Sequence, residues 1–270
     1  MNLLEKDFEG VISCLREISS SASDLIMEVY NSDFKHSLKA DKSPVTIADI
    51  ESNKIINDRL KKEFPQIPIV SEENLSNEIK ENKNFFLVDP LDGTKEFLKK
   101  NGEFTVNIAY VRDLTPILGV VQLPVTGVQY FSNGFESFKF DENNFENKKL
   151  RKIFATKNTN QIRILVSRSH LDSKTDSFIK KIEKPIIMRR GSSLKFCLIA
   201  EGLADIYVRF GRTMEWDIAA GNAILNTSGC SIFDLNLNKI VYGKADFANP
   251  SFIAIANHLK KNLLEFSKLL

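Results

Sequence analysis

The sequence is short of the residues that build a disulfide framework or a soft metal centre. Its 270 residues include three cysteines, Cys14, Cys197 and Cys230, odd in number and far apart. No CxxC pair occurs, so neither a zinc knuckle nor a disulfide scaffold is expected, and a reducing, cytoplasmic setting fits. With only three histidines, any metal should be held by oxygen rather than by a His-rich centre. No run approaches the roughly 20 apolar residues of a membrane span. The stretch from Met1 to Asp7 becomes charged too early for a signal peptide's apolar core. An excess of one charge is also missing. With 37 basic and 35 acidic residues the formal charge is +2, which argues against a nucleic-acid coat or a polybasic membrane binder. It leaves room for a small anionic substrate held by a few local charges.

What is present is the balance of a soluble globular protein, 43% hydrophobic and 27% charged. The length suits one large domain or two ordinary ones and can bury a sizeable core. Apolar residues at Leu4, Phe8, Val11, Ile12, Leu15, Ile18, Ala22, Leu25, Ile26 and Val29 recur in steps of three and four, the face of one helix. After a polar stretch from Ser32 to Ser43, Thr46 and Asp49 form a possible capping box for a second helix ending near Phe64. The middle of the chain reads as strands: a short Phe85-Phe86-Leu87-Val88 run ended by Asp89-Pro90, then Phe104–Val111, Ile117–Leu123 and Val128–Phe131. The charged, Asn-rich Glu136–Lys152 reads as a solvated connection and a possible boundary. Beyond it strands and helices alternate. Strands are expected at Arg163–Ser167, Ile186–Met188, Ala204–Phe210 and around Ile232, Val241 and Ile253. Helices are expected at Ser173–Ile182, Ser193–Glu201 and Ile218–Asn226. The fold class is therefore α/β, an α+β layered sandwich in two halves, residues 1–140 and 150–270, that together make one compact catalytic unit.

Four stretches each place a carboxylate where a strand ends or a helix begins. In Asp89-Pro90-Leu91-Asp92-Gly93-Thr94 the two aspartates flank a proline that fixes one torsion and precede a glycine that permits a tight turn. Both can then converge with the Leu91 carbonyl on one hard cation such as Mg²⁺, or form only an Asp-rich turn with a helix cap. The N–H groups of Gly93 and Thr94 are a natural phosphate seat. Taken alone, Ser71-Glu72-Glu73 reads as surface acid, Thr46-x-x-Asp49 as a cap, and Asp217 after Trp216 as an N-cap. Together they match the way several elements supply ligands to a multi-metal phosphatase.

In order and spacing, Asp41-Lys42-Ser43-Pro44-Val45-Thr46-Ile47-Ala48-Asp49, Ser71-Glu72-Glu73, Asp89–Thr94 and Trp216-Asp217-Ile218-Ala219-Ala220 resemble the inositol-monophosphatase-like family of Mg²⁺-dependent, lithium-sensitive phosphatases. That resemblance implies the sugar-phosphatase-like αβαβα architecture. Lys95–Ala109, Ser167-Arg168-Ser169-His170, Gly191–Cys197 and Tyr207–Gly211 resemble most its CysQ-type 3′(2′),5′-bisphosphate nucleotidase branch. The Phe85–Val88 run lacks the Trp that many relatives carry before this motif.

By this resemblance the reaction removes the 3′-phosphate of adenosine 3′,5′-bisphosphate, giving AMP and phosphate. The sulfated relative, 3′-phosphoadenylyl sulfate, is a second implied substrate, and the implied role is turnover of sulfate-assimilation nucleotides. Glu72, Asp89, Asp92 and Asp217, with the Leu91 carbonyl, are the implied ligands of two or three Mg²⁺. Asp49 and Thr94 are the implied catalytic pair that orients or deprotonates the attacking water. Implied substrate contacts are Gly93, Thr94 and the metal-site residues Glu72, Leu91, Asp92 and Asp217, together with Ser167, His170, Gly191 and Lys195 on the nucleotide side. Arg209 and Arg212 are further candidates. The resemblance also implies a monomer or homodimer, and allows a peripheral place on the inner face of the cell membrane that no sequence feature marks. Two alternatives stay open: an inositol or sugar (bis)phosphatase with the same metal chemistry, and an inactive nucleotide-binding module. A nucleic-acid partner is not expected.

Overall fold

The apolar stripe at the N-terminus does form a helix. In a computed structural model, which describes residues 7–33, 36–38, 44–74, 82–141, 150–156, 161–169, 172–263 and 265–266, α1 spans Phe8–Tyr30 and buries Phe8, Val11, Ile12, Leu15, Ile18, Ala22 and Ile26. A short antiparallel ribbon pairs β1 (His36–Leu38) with β2 (Pro44–Thr46). Thr46 then caps α2 (Ile47–Glu63): its hydroxyl accepts from the Ala48 N–H, and its own N–H donates to Asp49 Oδ2. The capping box read from the sequence is therefore real.

A seven-stranded sheet follows. It is built in chain order from β3 (Ile69–Ser71), β4 (Phe85–Asp92), β5 (Thr105–Arg112), β6 (Thr115–Gln122), β7 (Gln129–Ser132), β8 (Ser137–Phe140) and β9 (Leu150–Ile153). Only the β3–β4 pair is parallel; the other pairs are antiparallel. The one-turn helix α3 (Thr94–Leu98) lies between β4 and β5. Two expectations change here. Strand β4 does not stop before Asp89-Pro90 but runs on through Asp92. The Glu136–Lys152 segment is not merely a solvated connection, since β8 and β9 pair with each other inside it; residues 142–149 lie outside the described residues. Its polar side chains belong to strands only partly buried at the sheet's far end.

The second sheet has the order β11-β10-β12-β14-β13. Its strands are β10 (Arg163–Ser167), β11 (Ile186–Arg190), β12 (Ile206–Arg209), β13 (Cys230–Asp234) and β14 (Phe252–Ala256). Helices α4 (Ser173–Lys180), α5 (Leu194–Ala200) and α6 (Glu215–Asn226) are interspersed, and a 3₁₀ helix, Asn257–Asn262, follows β14. Val241 lies in no strand and is exposed. Helix α6 begins at Glu215 rather than Ile218, so Asp217 is its third residue and not its N-cap.

The layers follow from which side chains are buried together. Along β4, Phe86 and Val88 point with Ile108 and Tyr110 into the core under α1 and α2. Phe85 and Leu87 point to the other face, into a core shared with α5 and α6. A strand buried on both faces needs no polar alternation, which explains the unbroken apolar run. Helices α5 and α6 also pack against the inner face of the second sheet, through Tyr207, Phe252 and Ala254. Ile164, Val166, Ile206 and Ile253 on its outer face pack with Phe178 and Ile179 of α4. The order is α, β, α, β, α, as the sequence resemblance implied. Helix α6 sits so close to β6 that a Cβ at Gly119 would fall 2.6 Å from the Ala220 carbonyl oxygen. No helix among the described residues is long and apolar enough to cross a membrane, and the three cysteines are unpaired.

Candidate active site

Strand β4 delivers two carboxylates by breaking its own register. Asp89 pairs with Asn107 and Asp92 with Thr105, three steps on one strand against two on its neighbour. The extra residue makes a bulge, the kind of irregularity that re-aims side chains beside functional sites. The Pro90 carbonyl there accepts from the Ser52 hydroxyl of α2 at 2.9 Å, and Asp89 Oδ1 accepts from the Leu91 N–H at 3.1 Å. Gly93 ends the strand with φ of 91°, in the left-handed region that glycine enters at least cost, and α3 begins at Thr94.

Other elements bring the remaining groups. Glu72 follows β3, and its N–H donates to the Val88 carbonyl, which ties it to β4. Asp217 folds back on the start of α6, with Oδ2 accepting the Met214 N–H at 2.7 Å. Asp92 Oδ2 accepts both the N–H and the hydroxyl of Ser193, at 2.7 and 2.8 Å. Glu72, Asp89, Leu91, Asp92, Gly93, Thr94 and Asp217 line one cleft of about 290 Å³, close to the ~300 Å³ at which small-molecule pockets begin. Ser167, Lys195, Arg209 and Arg212 line the same cleft.

Its electrostatics are those of crowded acids. Burial pushes Asp89 well above the usual carboxylate range, and the charges of Glu72, Asp92 and Asp217 push further. Asp217 is likewise raised well above that range by burial and then by Asp92. Burial raises Asp92 as well, although Lys195 and the two Ser193 bonds act against it. Such a group is held together at a cost unless positive charge joins it. All its donors are oxygen, the set that hard divalent cations select. Among the described residues no three acidic, His or Cys side chains close on a single point; the four carboxylates share a cleft, and Asp92 and Asp217 spend bonds on backbone N–H groups.

Asp49 is buried and is not itself part of the cleft lining; it meets Thr94, which is. Thr94 Oγ1 donates to Asp49 Oδ1 at 3.1 Å, while Thr46 donates its N–H and hydroxyl to Asp49 Oδ2. Burial raises the Asp49 carboxyl, with the Thr46 bonds opposing. On the basic side, Lys195 is only 4% exposed, unlike a lysine on a solvated helix face. Burial lowers its ammonium to about 8, against the pull of Asp92. Its Nζ donates to the Ser192 and Arg190 carbonyls and lies 5.1 Å from the centre of the Tyr207 ring.

Not every expected contact belongs to the cleft. Gly191 is buried outside the lining, and its N–H donates to Glu103 Oε2 at 2.7 Å. Its lack of a side chain serves packing, because a Cβ there would fall 2.5 Å from the Glu103 carbonyl oxygen. His170 lies outside the described residues. Two serines were missed as individuals in the Gly191–Cys197 block. Ser193 fixes Asp92. Ser192 lines the cleft with φ of 43° and with a buried hydroxyl that has no hydrogen-bond partner among the described residues, an arrangement that favours a polar ligand.

Residues 7–267 match the inositol monophosphatase family, and the chain belongs to that family of metal-assisted phosphatase folds. Among curated relatives, the 3′(2′),5′-bisphosphate nucleotidase CysQ of Buchnera aphidicola is 44% identical over 247 residues, covering 89% of this chain and 91% of its own. That of Shigella flexneri is 40% identical over 241 residues, covering 87% and 96%. The crystal structure of CysQ from Bacteroides thetaiotaomicron, 34% identical, superposes with a TM-score of 0.81 over 92% of this chain and 97% of that one.

Proposed function

We propose that the chain is a 3′(2′),5′-bisphosphate nucleotidase that removes the 3′-phosphate of adenosine 3′,5′-bisphosphate to give AMP and phosphate. 3′-Phosphoadenylyl sulfate is a second substrate, and the setting is nucleotide turnover in a reducing cytoplasm. The observation that carries the reading is the double character of one cleft. The buried Asp89 and the half-buried Glu72, Asp92 and Asp217 line it together with Lys195, Arg209 and Arg212. A substrate with two separate phosphates uses both, whereas an inositol monophosphate has nothing for the second set to hold.

Glu72, Asp89, Asp92, Asp217 and the Leu91 carbonyl are the residues to hold Mg²⁺. Bound there, the cations supply charge neutralisation on the phosphoryl and leaving oxygens and a more acidic water. The chain's own residues do the rest. Thr94 gives its hydroxyl proton to Asp49 Oδ1, so its oxygen is left as an acceptor that can hold the attacking water by one proton. Asp49, raised by burial, is a stronger base than a solvated aspartate and receives that proton through Thr94. The N–H groups of Gly93 and Thr94 face the phosphoryl oxygens. Lys195, as a compact point charge, holds the 5′-phosphate with Arg209 and Arg212, and Ser167 and Ser192 complete the nucleotide side.

The test is phosphate release with Mg²⁺ from adenosine 3′,5′-bisphosphate, inositol 1-phosphate and fructose 1,6-bisphosphate in parallel. EDTA and Asp92→Asn serve as controls. Turnover of the nucleotide, lost in both controls, supports the reading. Preference for an inositol or sugar phosphate overturns the substrate and keeps the metal chemistry.

A further inference from the structure

We infer that Glu103 is a positioning residue that aims Lys195 into the cleft; the inference rests on the nucleotidase reading of that lysine. Glu103 lies on the segment between α3 and β5, in the first half of the chain, yet its carboxylate is spent on the second half. Oε2 accepts the Gly191 N–H at 2.7 Å and Arg168 Nε at 2.8 Å, while Oε1 accepts Arg168 Nη2 at 2.7 Å. Arg168 in turn donates its N–H to the Arg190 carbonyl at 3.1 Å and Nη2 to the Arg189 carbonyl at 3.3 Å. A two-pronged arginine–carboxylate pair of this kind fixes direction as well as distance.

The loop it grips is the one that holds Lys195. Gly191 stands between Arg190 and Ser192, and Lys195 Nζ donates to the carbonyls of those two neighbours. Glu103 therefore clamps the Gly191 N–H, one of the two N–H groups between the two carbonyls that orient the lysine. The grip is close: a Cβ on Gly191 would meet the Glu103 carbonyl oxygen at 2.5 Å and Glu96 Cγ at 2.8 Å. The next residue, Ser192, is held at φ of 43°, a conformation that a non-glycine residue keeps only when its surroundings impose it. Beside the clamp, Ser169 donates to Glu96 Oε1 at 2.5 Å, a second stitch across the same seam.

The chemistry of the clamp needs an acceptor at Glu103 more than it needs length or charge alone. Glu103→Ala frees the Gly191 N–H and the Arg168 fork together. Glu103→Gln keeps an amide oxygen for Gly191 and loses only part of the fork.

Two readouts test the inference. The first is independent of activity: the rate at which acetic anhydride labels Lys195 in the folded protein, followed by peptide mass spectrometry. Glu103→Ala should speed labelling about tenfold, and Glu103→Gln should restore most of the protection. The second is kinetic. Glu103→Ala should raise KM for adenosine 3′,5′-bisphosphate about tenfold, and the Glu103→Ala/Lys195→Ala double variant should be no worse than Lys195→Ala alone, as expected of groups acting through one contact. Should Glu103→Ala fail to fold, Arg168→Ala, at an exposed site, carries both readouts with shifts of about threefold. Unchanged labelling in a folded variant, or additive effects in the double variant, overturns the clamp. Failure of the wild type to release phosphate from the nucleotide overturns the functional reading, and the labelling rate still decides the clamp.

Discussion

Ser193, at the N-terminal boundary of α5, donates twice to one oxygen of Asp92, 101 residues earlier on the bulge of β4. The same hydroxyl accepts Asn107 Nδ2 at 2.6 Å. A single serine thus ties the acidic end of the first sheet to the start of α5, the helix of the second half that carries Lys195. It also uses up lone pairs on Asp92 that would otherwise point wherever repulsion from Asp217 sent them.

Ser193→Ala removes one of those two bonds and leaves the Asn107 amide without its acceptor. It should cost about 1–3 kcal/mol of stability. Loss of a group that orients a metal ligand weakens metal binding by roughly 10–100-fold, so with Asp92 in its proposed role as a ligand the Mg²⁺ concentration for half-maximal activity should rise by at least about tenfold. A melt and a Mg²⁺ titration check the two effects separately. An unchanged Mg²⁺ requirement would show that Asp92 needs no such support.

Thr94→Ala should lower kcat by about 10²-fold or more with little change in KM, because a group in the water-orienting role proposed for Thr94 acts on the transition state. Thr94→Ser, which keeps the hydroxyl beside Asp49, should recover much of the rate. Steady-state kinetics on the three proteins decide it. Equal losses in both variants would point to the methyl group's packing instead.

The crowded acids predict an unusual pH dependence in metal-free protein. Asp89 and Asp217 are raised in the folded state, so between the ordinary carboxylate value and the raised one the folded chain holds more protons than the unfolded chain. Their contribution to stability is therefore greatest at low pH and is lost as pH rises through the folded values. In EDTA the melting temperature should fall over that range, Mg²⁺ should oppose the fall, and Asp89→Asn should flatten it. A melting profile that is independent of Mg²⁺ at neutral pH would contradict this.

Lys195 should give the alkaline limb of the rate profile. Its ammonium, lowered by burial to about 8, loses its charge as pH rises through that value, and the hold on a dianionic phosphate proposed for it goes with it. The profile of kcat/KM for the nucleotide should fall above pH about 8, and Lys195→Arg should move the limb upward, since a guanidinium stays charged. A limb that does not move belongs to some other group.

How much of this was legible in the sequence depended on whether the signal was local. The α1 stripe and the Thr46–Asp49 capping box each carry their meaning within a few residues and form as the sequence suggests; the Asp89–Thr94 stretch reads as a turn after a strand, whereas β4 runs on through Asp92 and turns only at Gly93. The strands β8 and β9 were hidden because Lys139, Arg151 and Lys152 make them look like a solvated connection, although they pair within the sheet. The start of α6 was missed because Met214 is no usual cap; Asp217 caps it from three residues inside. The bulge in β4, the burial of Lys195 and the reach of Glu103 to Gly191 are tertiary facts. They arise only once two sheets and the helices between them are stacked, and no spacing along the chain announces them.

The most direct measurement of the central claim is the identity of the nucleotide product. Wild-type protein with Mg²⁺ and adenosine 3′,5′-bisphosphate is followed by phosphorus NMR. Inorganic phosphate and AMP that keeps its 5′-phosphate are expected, since the proposed roles give the 3′-phosphate to the acidic end of the cleft and the other to Lys195. A product that keeps its 3′-phosphate, or no turnover by folded, Mg²⁺-loaded protein, would contradict it.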